Sequence, residues 1–111
     1  MKIIIKSTQM ELTPALKEYA EKKIGSLEKF VKKIDLEEEV EIFVEIGRAT
    51  KHHKSGNVFY AEATMRFGGK VLRAENLGSD LRASIDIIKD TLRQSIQKYK
   101  EAIIEKKRTV R

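Results

Sequence analysis

The sequence predicts an α+β domain, a two-layer sandwich in the order β-α-β-β-β-α whose four-stranded sheet carries both helices on one face. Two amphipathic helical patterns and the alternating segments between them support this prediction. Each helix needs cover for its apolar side, and one face of a sheet can supply it. The 111 residues suffice for one modest core, so we predict a single domain over 1–105 and a basic C-terminal tail over 106–111.

The first strand and the first helix occupy the N-terminal third of the chain. Residues 1–8, MKIIIKST, are rich in isoleucine and predict a strand, in which Lys2, Ile4 and Lys6 alternate with Ile3 and Ile5. Thr13 followed by Pro14 is typical of an N-cap and a first helical residue, and apolar residues then recur at helical spacing to about residue 33. Gly25 interrupts this helix at a cost of about 1 kcal/mol relative to alanine.

Three more strands follow, joined by short connections. Residues 39–47 and 58–67 alternate between apolar and polar side chains, and the polar segment 48–57 between them predicts a loop. The two glycines at 68–69 indicate a tight hairpin turn into a last strand over 70–76. The first helix must cross over between two parallel strands, whereas the later strand pairs should be antiparallel.

The second helix has the most regular pattern in the chain. Ser79 or Asp80 provides its N-cap, and apolar residues recur at steps of three and four to about residue 105. Four bases align along one side of this helix, each within about 20° of Arg82 and about 80° from the apolar residues. This basic row consists of Arg82, Lys89, Arg93 and Lys100.

The basic row has two interpretations. Long cationic side chains often border an apolar surface only to cover it with their methylene groups. The alternative is an anion-binding surface, which the net charge of +6 favours. Charge is also segregated, because residues 35–45 hold six carboxylates and no base, whereas residues 98–111 hold six bases and two carboxylates.

The first helix strengthens the anion-binding interpretation. It adds Lys22, Lys23 and Lys29, and by its helical angle Lys23 falls among the apolar residues. We therefore expect Lys23 to extend outwards between the two helices and to meet the basic row. Contacts from such a groove to phosphates would supply affinity and positioning but little sequence readout.

Other kinds of site have little support in the sequence. The absence of cysteine excludes disulfides and thiol chemistry. His52 and His53 have no third ligand at a suitable spacing, and no catalytic set is visible, so we predict no metal, no cofactor and no enzymatic activity. The apolar run 3–5 is too short for a signal peptide or a membrane span, so we expect a cytoplasmic protein.

One further set of side chains lies on the sheet. The alternation of the strands places Phe43, Tyr60 and Arg66 on the sheet face away from the helices. Aromatic side chains on a sheet can stack on RNA bases, although an aromatic or two on such a face more often serves packing.

Three segments together resemble the ribosome hibernation promoting factor family, also called ribosome-associated inhibitor or ribosomal subunit interface proteins. They are TQMELTPALKEYAEKKIGSLEKF at 8–30, KSGNVFYAEATMRFGGKVLRAE at 54–75 and DLRASIDIIKDTLRQSIQKYK at 80–100. The resemblance covers nearly the whole chain in order. It implies the same β-α-β-β-β-α fold, which is similar to a double-stranded RNA-binding domain.

The resemblance also implies a function and a set of partners. Proteins of this family bind the small ribosomal subunit and its ribosomal RNA, in the channel used by mRNA and tRNA. They compete with both, block translation in starved or stationary-phase cells, and preserve idle ribosomes. No membrane and no small-molecule substrate is implied. Because this chain stops soon after the second helix, it resembles a short form, and its last residues could also be the start of a linker.

The family's basic helix surfaces, which face ribosomal RNA, imply candidate RNA-binding residues here. The matching bases are Lys22, Lys23, Lys29, Lys89, Lys98 and Lys100, to which the basic row adds Arg82 and Arg93. Two positions depart from the family pattern. Arg82 stands where the family often has tyrosine, and Gln94-Ser95-Ile96 stands where it often has Arg-Gln-Leu.

Two other functions are compatible with the sequence. The chain could be a general double-stranded RNA-binding module or RNA chaperone, with no preference for idle ribosomes. It could also be a protein-interaction domain that uses the acidic segment 35–45.

Overall fold

The computed structural model describes residues 1–32, 39–49 and 58–109, with side chains as far as residue 106. The order of secondary structure agrees with the prediction, except that the first helix is divided in two. The elements are β1 (Lys2–Thr8), α1 (Pro14–Gly25), α2 (Glu28–Val31), β2 (Glu41–Arg48), β3 (Phe59–Phe67), β4 (Lys70–Gly78) and α3 (Leu81–Thr109).

The four strands form one mixed sheet in the order β1-β2-β3-β4. The pair β1–β2 is parallel, and the pairs β2–β3 and β3–β4 are antiparallel, as predicted. Gly68 and Gly69 form the turn between β3 and β4 with φ values of 50° and 77°. Side chains disfavour this left-handed region, so the glycine pair is what allows so tight a hairpin.

The core lies between one face of the sheet and the helices. Ile42 and Ile46 of β2 and Met65 of β3 are fully buried on this face. The helices cover them with Ile24 of α1 and with four apolar residues of α3. Those four are Ile85, Ile88, Leu92 and Ile96, each at most 1% exposed. Both long helices thus share one sheet face, and the predicted two-layer α+β architecture is confirmed.

The prediction of one continuous helix from about 14 to 33 is wrong. The N-cap is as predicted, because Thr13 Oγ1 accepts a hydrogen bond from the Leu16 amide at 3.2 Å. At the other end, Ser26 Oγ donates to the Lys23 carbonyl at 2.6 Å, and the Leu27 amide donates to the Ile24 carbonyl at 3.0 Å. These short-range bonds end α1 and turn Leu27 fully into the core before α2 begins.

Helix α3 begins at the predicted place and runs further than predicted. The Asp80 carboxylate accepts a hydrogen bond from the Ala83 amide at 3.2 Å, so Asp80 is the N-cap. The helix continues to Thr109 instead of ending near 105, because Glu105, Lys106 and the bases that follow are good helix formers. It therefore includes part of the segment predicted as a tail.

Some predicted features fall on residues outside the described ranges. These are the end of the first helix near residue 33, the first four residues of the acidic segment 35–45, and residues 50–57 of the loop that contains His52 and His53. Within the described residues, no helix combines the length and the apolar composition needed to cross a membrane.

Candidate nucleic-acid interface

A carboxylate links the two long helices on the surface away from the sheet. The Tyr19 hydroxyl of α1 donates a hydrogen bond to Asp86 Oδ1 of α3 at 2.7 Å. Lys23 Nζ lies 3.7 Å from the same oxygen. The hydrogen bond to a carboxylate raises the pKa of the Tyr19 hydroxyl, so it stays protonated and remains a donor. Lys23 does extend from α1 to α3 as predicted, but the side chain it meets is an acid.

Two cations contact the ring of Tyr19. The guanidinium carbon of Arg82 lies 4.9 Å from the ring centroid, and Lys23 Nζ lies 5.6 Å from it. Such contacts hold flexible cationic side chains over an aromatic face with about 0.5–1 kcal/mol each at exposed sites. Tyr19 therefore brings together one base from each helix.

A second acid lies one turn further along α3. Lys89 Nζ is 2.8 Å from Asp90 Oδ1, and this hydrogen bond holds the pKa of the Asp90 carboxyl below its usual value. Arg93 and Lys23 also lower the pKa of Asp90 through their positive charges. Since Lys23 belongs to α1, bases of both helices lie near Asp90.

These residues form an interhelix cluster, which consists of Tyr19, Lys23, Arg82, Asp86, Lys89, Asp90 and Arg93. Four bases and two carboxylates leave it with a net positive charge. Its two ion pairs are partly exposed, and pairs of this kind contribute little free energy. A phosphate that approaches can therefore compete with Asp86 and Asp90 for the paired lysines.

The other four candidate bases lie outside the interhelix cluster. Lys22 is exposed on α1, and the ammonium of Lys29 in α2 lies 5.2 Å from the ring centroid of Phe30. Lys98 is exposed and Lys100 is half-buried in the second half of α3, about 13–16 Å along the axis from Lys89. The structure thus brings together four of the eight candidates and leaves the other four around them.

Sequence reasoning missed Tyr19 and Asp86. Tyr19 had a detectable signal, because it precedes Lys23 by four residues and such pairs are neighbours on a helix surface. Asp86 had none. It is 67 positions from Tyr19, and only the packing of α3 against α1 brings the two together.

The opposite surface is the sheet face away from the helices, here called the open face. Phe43, Tyr60 and Arg66 lie on it as predicted, and the guanidinium carbon of Arg66 is 6.0 Å from the ring centroid of Phe43. The face carries four bases and four carboxylates. The bases are Lys2, Lys6, Arg66 and Arg73, and the carboxylates are Glu41, Glu45, Glu62 and Glu75.

One row across the open face is mostly acidic. The strand register aligns Lys6, Glu45, Glu62 and Glu75. Glu45 accepts hydrogen bonds from the Thr8 hydroxyl at 2.6 Å and the Tyr60 hydroxyl at 3.2 Å. The bond from Thr8 is the main cause that lowers the pKa of Glu45, whereas a hydrogen bond shared with Glu45 raises the pKa of Glu62. A face with this balance does not favour a polyanion, so the helical side is the candidate interface.

Within the described part of the chain, no group of three histidine, cysteine or acidic side chains is arranged to hold a metal ion.

The sequence matches a known family over nearly its whole length. The model of the family described as Sigma 54 modulation protein / S30EA ribosomal protein matches residues 3–104. A ribosome hibernation promotion factor of Picosynechococcus sp. is 32% identical over 111 residues, covering 96% of this chain and 53% of the relative. One of Staphylococcus aureus is 32% identical over 108 residues, covering 94% and 50%. The chain therefore spans about half the length of these curated relatives.

Solved structures show the same fold. The N-terminal domain of Protein Y from Thermus thermophilus superposes with a TM-score of 0.69 at 26% identity, covering 89% of this chain and 99% of that one. A ribosomal subunit interface protein from Coxiella burnetii gives a TM-score of 0.68 at 20% identity, covering 91% and 99%, which is a likeness of fold. The chain thus belongs to the Sigma 54 modulation protein / S30EA ribosomal protein family, the family of ribosome hibernation and ribosomal subunit interface proteins.

Proposed function

We propose that this protein is a ribosome hibernation factor. It binds the small ribosomal subunit and its ribosomal RNA in the channel used by mRNA and tRNA, competes with both, and so blocks translation and preserves idle ribosomes in the cytoplasm of stressed or stationary-phase cells. Membership of the family and the names of its relatives support the ribosomal role. The observation that carries the RNA-binding part is the interhelix cluster, where bases from two helices converge on one exposed surface.

The protein acts by occupying the channel used by mRNA and tRNA, and this needs no chemical step. Lysine and arginine side chains neutralise phosphates and release the counterions that surround RNA, which supplies affinity without reading sequence. The ring of Tyr19 holds Arg82 and Lys23 near their working positions, so less side-chain freedom is lost on binding. A folded domain bound there excludes mRNA and tRNA sterically.

The proposed RNA contacts extend beyond the interhelix cluster, towards the C-terminal half of α3 and onto α1 and α2. From Arg82 to Lys100 the helix rises about 27 Å, long enough to meet several phosphates. Lys100 forms the distal part of this surface, and Lys22 and Lys29 extend it onto α1 and α2. Lys98 lies about 160° around the helix from Arg82, so its contact would be made on another side of α3. The full set is Lys22, Lys23, Lys29, Arg82, Lys89, Arg93, Lys98 and Lys100.

A pair of charge-reversed variants tests this interface. The first carries Lys89→Glu, Arg93→Glu and Lys100→Glu on the helical side. The matched control carries Lys2→Glu, Lys6→Glu and Arg66→Glu on the open face, with the same change in net charge. We expect the helical variant to lose co-sedimentation with small ribosomal subunits and arrest of a cell-free translation reaction, and the control to keep both.

Circular dichroism establishes that both variants are folded. A folded helical variant that sediments with small subunits like the wild type would reject this interface. Competition then separates two functions. A factor in the decoding channel is displaced by tRNA, whereas equal displacement by any RNA duplex would indicate a general duplex-binding module or RNA chaperone instead.

A further inference from the structure

The sheet has two edges, and the edge formed by β4 is long and open. The strand order leaves β1 and β4 each with one neighbour, so their outer backbone N–H and C=O groups have no partner strand in the described part of the chain. Among the described residues, no other strand covers the outer edge of β4.

The side chains of β4 on the open face have a self-complementary order. They are Val71, Arg73, Glu75 and Leu77, which reads apolar, basic, acidic, apolar around Ala74. Val71 is 48% exposed and Leu77 is 68% exposed. Natural edge strands usually avoid exposed apolar side chains, because such an edge invites another strand.

We propose that β4 pairs antiparallel with β4 of a second copy, around a two-fold axis at Ala74, to form a continuous eight-stranded sheet. In this register Arg73 faces the partner's Glu75, and Val71 faces the partner's Leu77. Directly opposed side chains in an antiparallel pair lie about 4.5–5.5 Å apart, close enough for ion pairing and apolar contact. Because of the two-fold symmetry, each of these pairs occurs twice in the dimer.

The helical side of β4 leaves room for this arrangement. Ser84 Oγ donates to Asn76 Oδ1 at 2.9 Å, which places the Ser84 side of α3 over β4. Small side chains follow along this side of the helix within about 40° of one another. They are Ser84, Thr91, Ser95 and Ala102. Lys98 also lies on this side, about 20° from Thr91, so two antiparallel α3 helices can approach across the axis within the usual 8–10 Å where the small residues face each other.

The other edge, β1, does not suit a second copy. Its side chains on the open face include Lys2, Ile4 and Lys6, and pairing around Ile4 would set Lys2 against the partner's Lys6. Like charges directly opposite each other destabilise a strand pair, and edge lysines commonly prevent such pairing. The two edges thus differ in charge order, and only β4 is complementary to itself.

The pairing leaves the interhelix cluster free, whereas Lys98, about 20° from Thr91 on the helix, lies on the side that faces the axis. Asp86 lies on the side of α3 that contacts α1, whereas Ser84 lies on the side over β4. The interhelix cluster therefore points away from the two-fold axis. Dimerisation is measured on the free protein without ribosomes, so its outcome is independent of the proposed function.

Sedimentation equilibrium over a range of protein concentrations tests the proposal with a charge swap. We expect the wild type to dimerise as concentration rises. Arg73→Glu alone and Glu75→Arg alone each place like charges opposite one another twice, and each should raise the dimer Kd about tenfold. The double variant Arg73→Glu/Glu75→Arg restores opposite charges and should return the Kd to within about twofold of the wild type.

Two further measurements complete the test. Lys2→Glu on β1 is the control and should leave the Kd unchanged. Amide hydrogen exchange should show that the outer amides of β4 gain protection as protein concentration rises, which stacking of two open faces would not cause. A wild type that stays monomeric at every concentration, or a double variant no better than the single ones, would overturn the proposal.

Discussion

Asp86 is a carboxylate at the centre of a surface that otherwise attracts anions. Its oxygen accepts the Tyr19 hydroxyl and attracts the Lys23 ammonium, so it fixes two side chains of α1 relative to α3. It also repels phosphates and occupies Lys23. Asp86 therefore lowers the affinity of this surface for phosphates but fixes the positions of Tyr19 and Lys23 relative to α3.

Removal of this charge should strengthen RNA binding. Asp86→Asn keeps an oxygen that accepts the Tyr19 hydroxyl but frees Lys23 for a phosphate. We expect tighter binding to small ribosomal subunits, and a plot of log affinity against log salt that is steeper by up to about 1. Glu41→Gln on the open face makes the same change in net charge and should have little effect. Equal effects of the two variants would contradict a local role for Asp86.

Glu45 and Glu62 are directly opposed across β2 and β3 and differ in proton affinity. Hydrogen bonding lowers the pKa of Glu45, which contributes stability that is lost as pH falls through its folded value. The shared hydrogen bond raises the pKa of Glu62, so its contribution is present in acid and is lost as pH rises through its folded value. Between these two pKa values the pair holds one proton, and above them both carboxylates are charged.

Glu62→Gln should therefore stabilise the protein at neutral pH. The amide can donate to Glu45 and carries no charge, so repulsion between opposed carboxylates is removed. We expect a gain of about 0.5 kcal/mol when both carboxylates are charged, the scale of a cross-strand charge pair, which shrinks as pH falls and Glu62 takes up its proton. Urea unfolding of both proteins over a series of pH values measures this. A gain that stays constant across the whole series would show that the charge of Glu62 is not its source.

At the scale of the elements, one glycine allows three strands to meet closely. A Cβ at Gly47 would lie 2.5 Å from the Thr8 carbonyl oxygen of β1 and 2.8 Å from the Tyr60 ring of β3. The carbonyl belongs to the paired backbone and cannot move away cheaply. Gly25 differs, since a Cβ there would meet only Ile3 Cδ1, at an ordinary 3.8 Å.

Alanine should therefore have opposite effects at these two glycines. Gly47→Ala should destabilise the protein by about 2 kcal/mol through overpacking. Gly25→Ala should stabilise it by up to about 1 kcal/mol, because alanine is the better helix former and has room. Denaturant unfolding measures the change in the free energy of unfolding for each variant. A loss of stability in Gly25→Ala as large as that in Gly47→Ala would contradict this account.

The elements were predictable where local patterns decide them. The alternation of apolar and polar residues predicted the strands, and the glycine pair predicted the hairpin between β3 and β4. Thr13 predicted the start of α1. The division of the first helix was not predictable, because it depends on Ser26 binding a carbonyl while Leu27 turns into a core built by distant strands. The far end of α3 was underestimated, since its charged last residues lack the apolar period on which the prediction relied.

The candidate site was predictable only in part, for a similar reason. The basic row could be predicted from helical angles, because all of its residues belong to one helix. The contacts of Lys23 with Asp86 and of Arg82 with Tyr19 depend on how α1 and α3 pack, and no local pattern encodes that. The acidic row on the open face likewise appears only once the strand register is known.

At the scale of the whole molecule, the proposed interface predicts how binding to small ribosomal subunits responds to salt. If all eight candidate bases bind phosphates, or six when Lys23 and Lys89 stay paired with acids, log affinity falls with log salt at a slope between about −4 and −7. Titration of small subunits at several salt concentrations and constant magnesium measures this slope. A slope near zero would contradict phosphate contacts as the source of affinity.

The uneven placement of charge also acts before any contact is made. Among the described side chains bases outnumber carboxylates, 17 to 14, whereas the open face carries equal numbers of each, so this positive excess lies off that face. Near a polyanion, a protein with this charge distribution rotates so that its helical side faces the polyanion. The effect extends over about 8–10 Å at physiological ionic strength. More collisions with the polyanion therefore occur in the binding orientation. Added salt screens this effect, so it should lower the association rate constant.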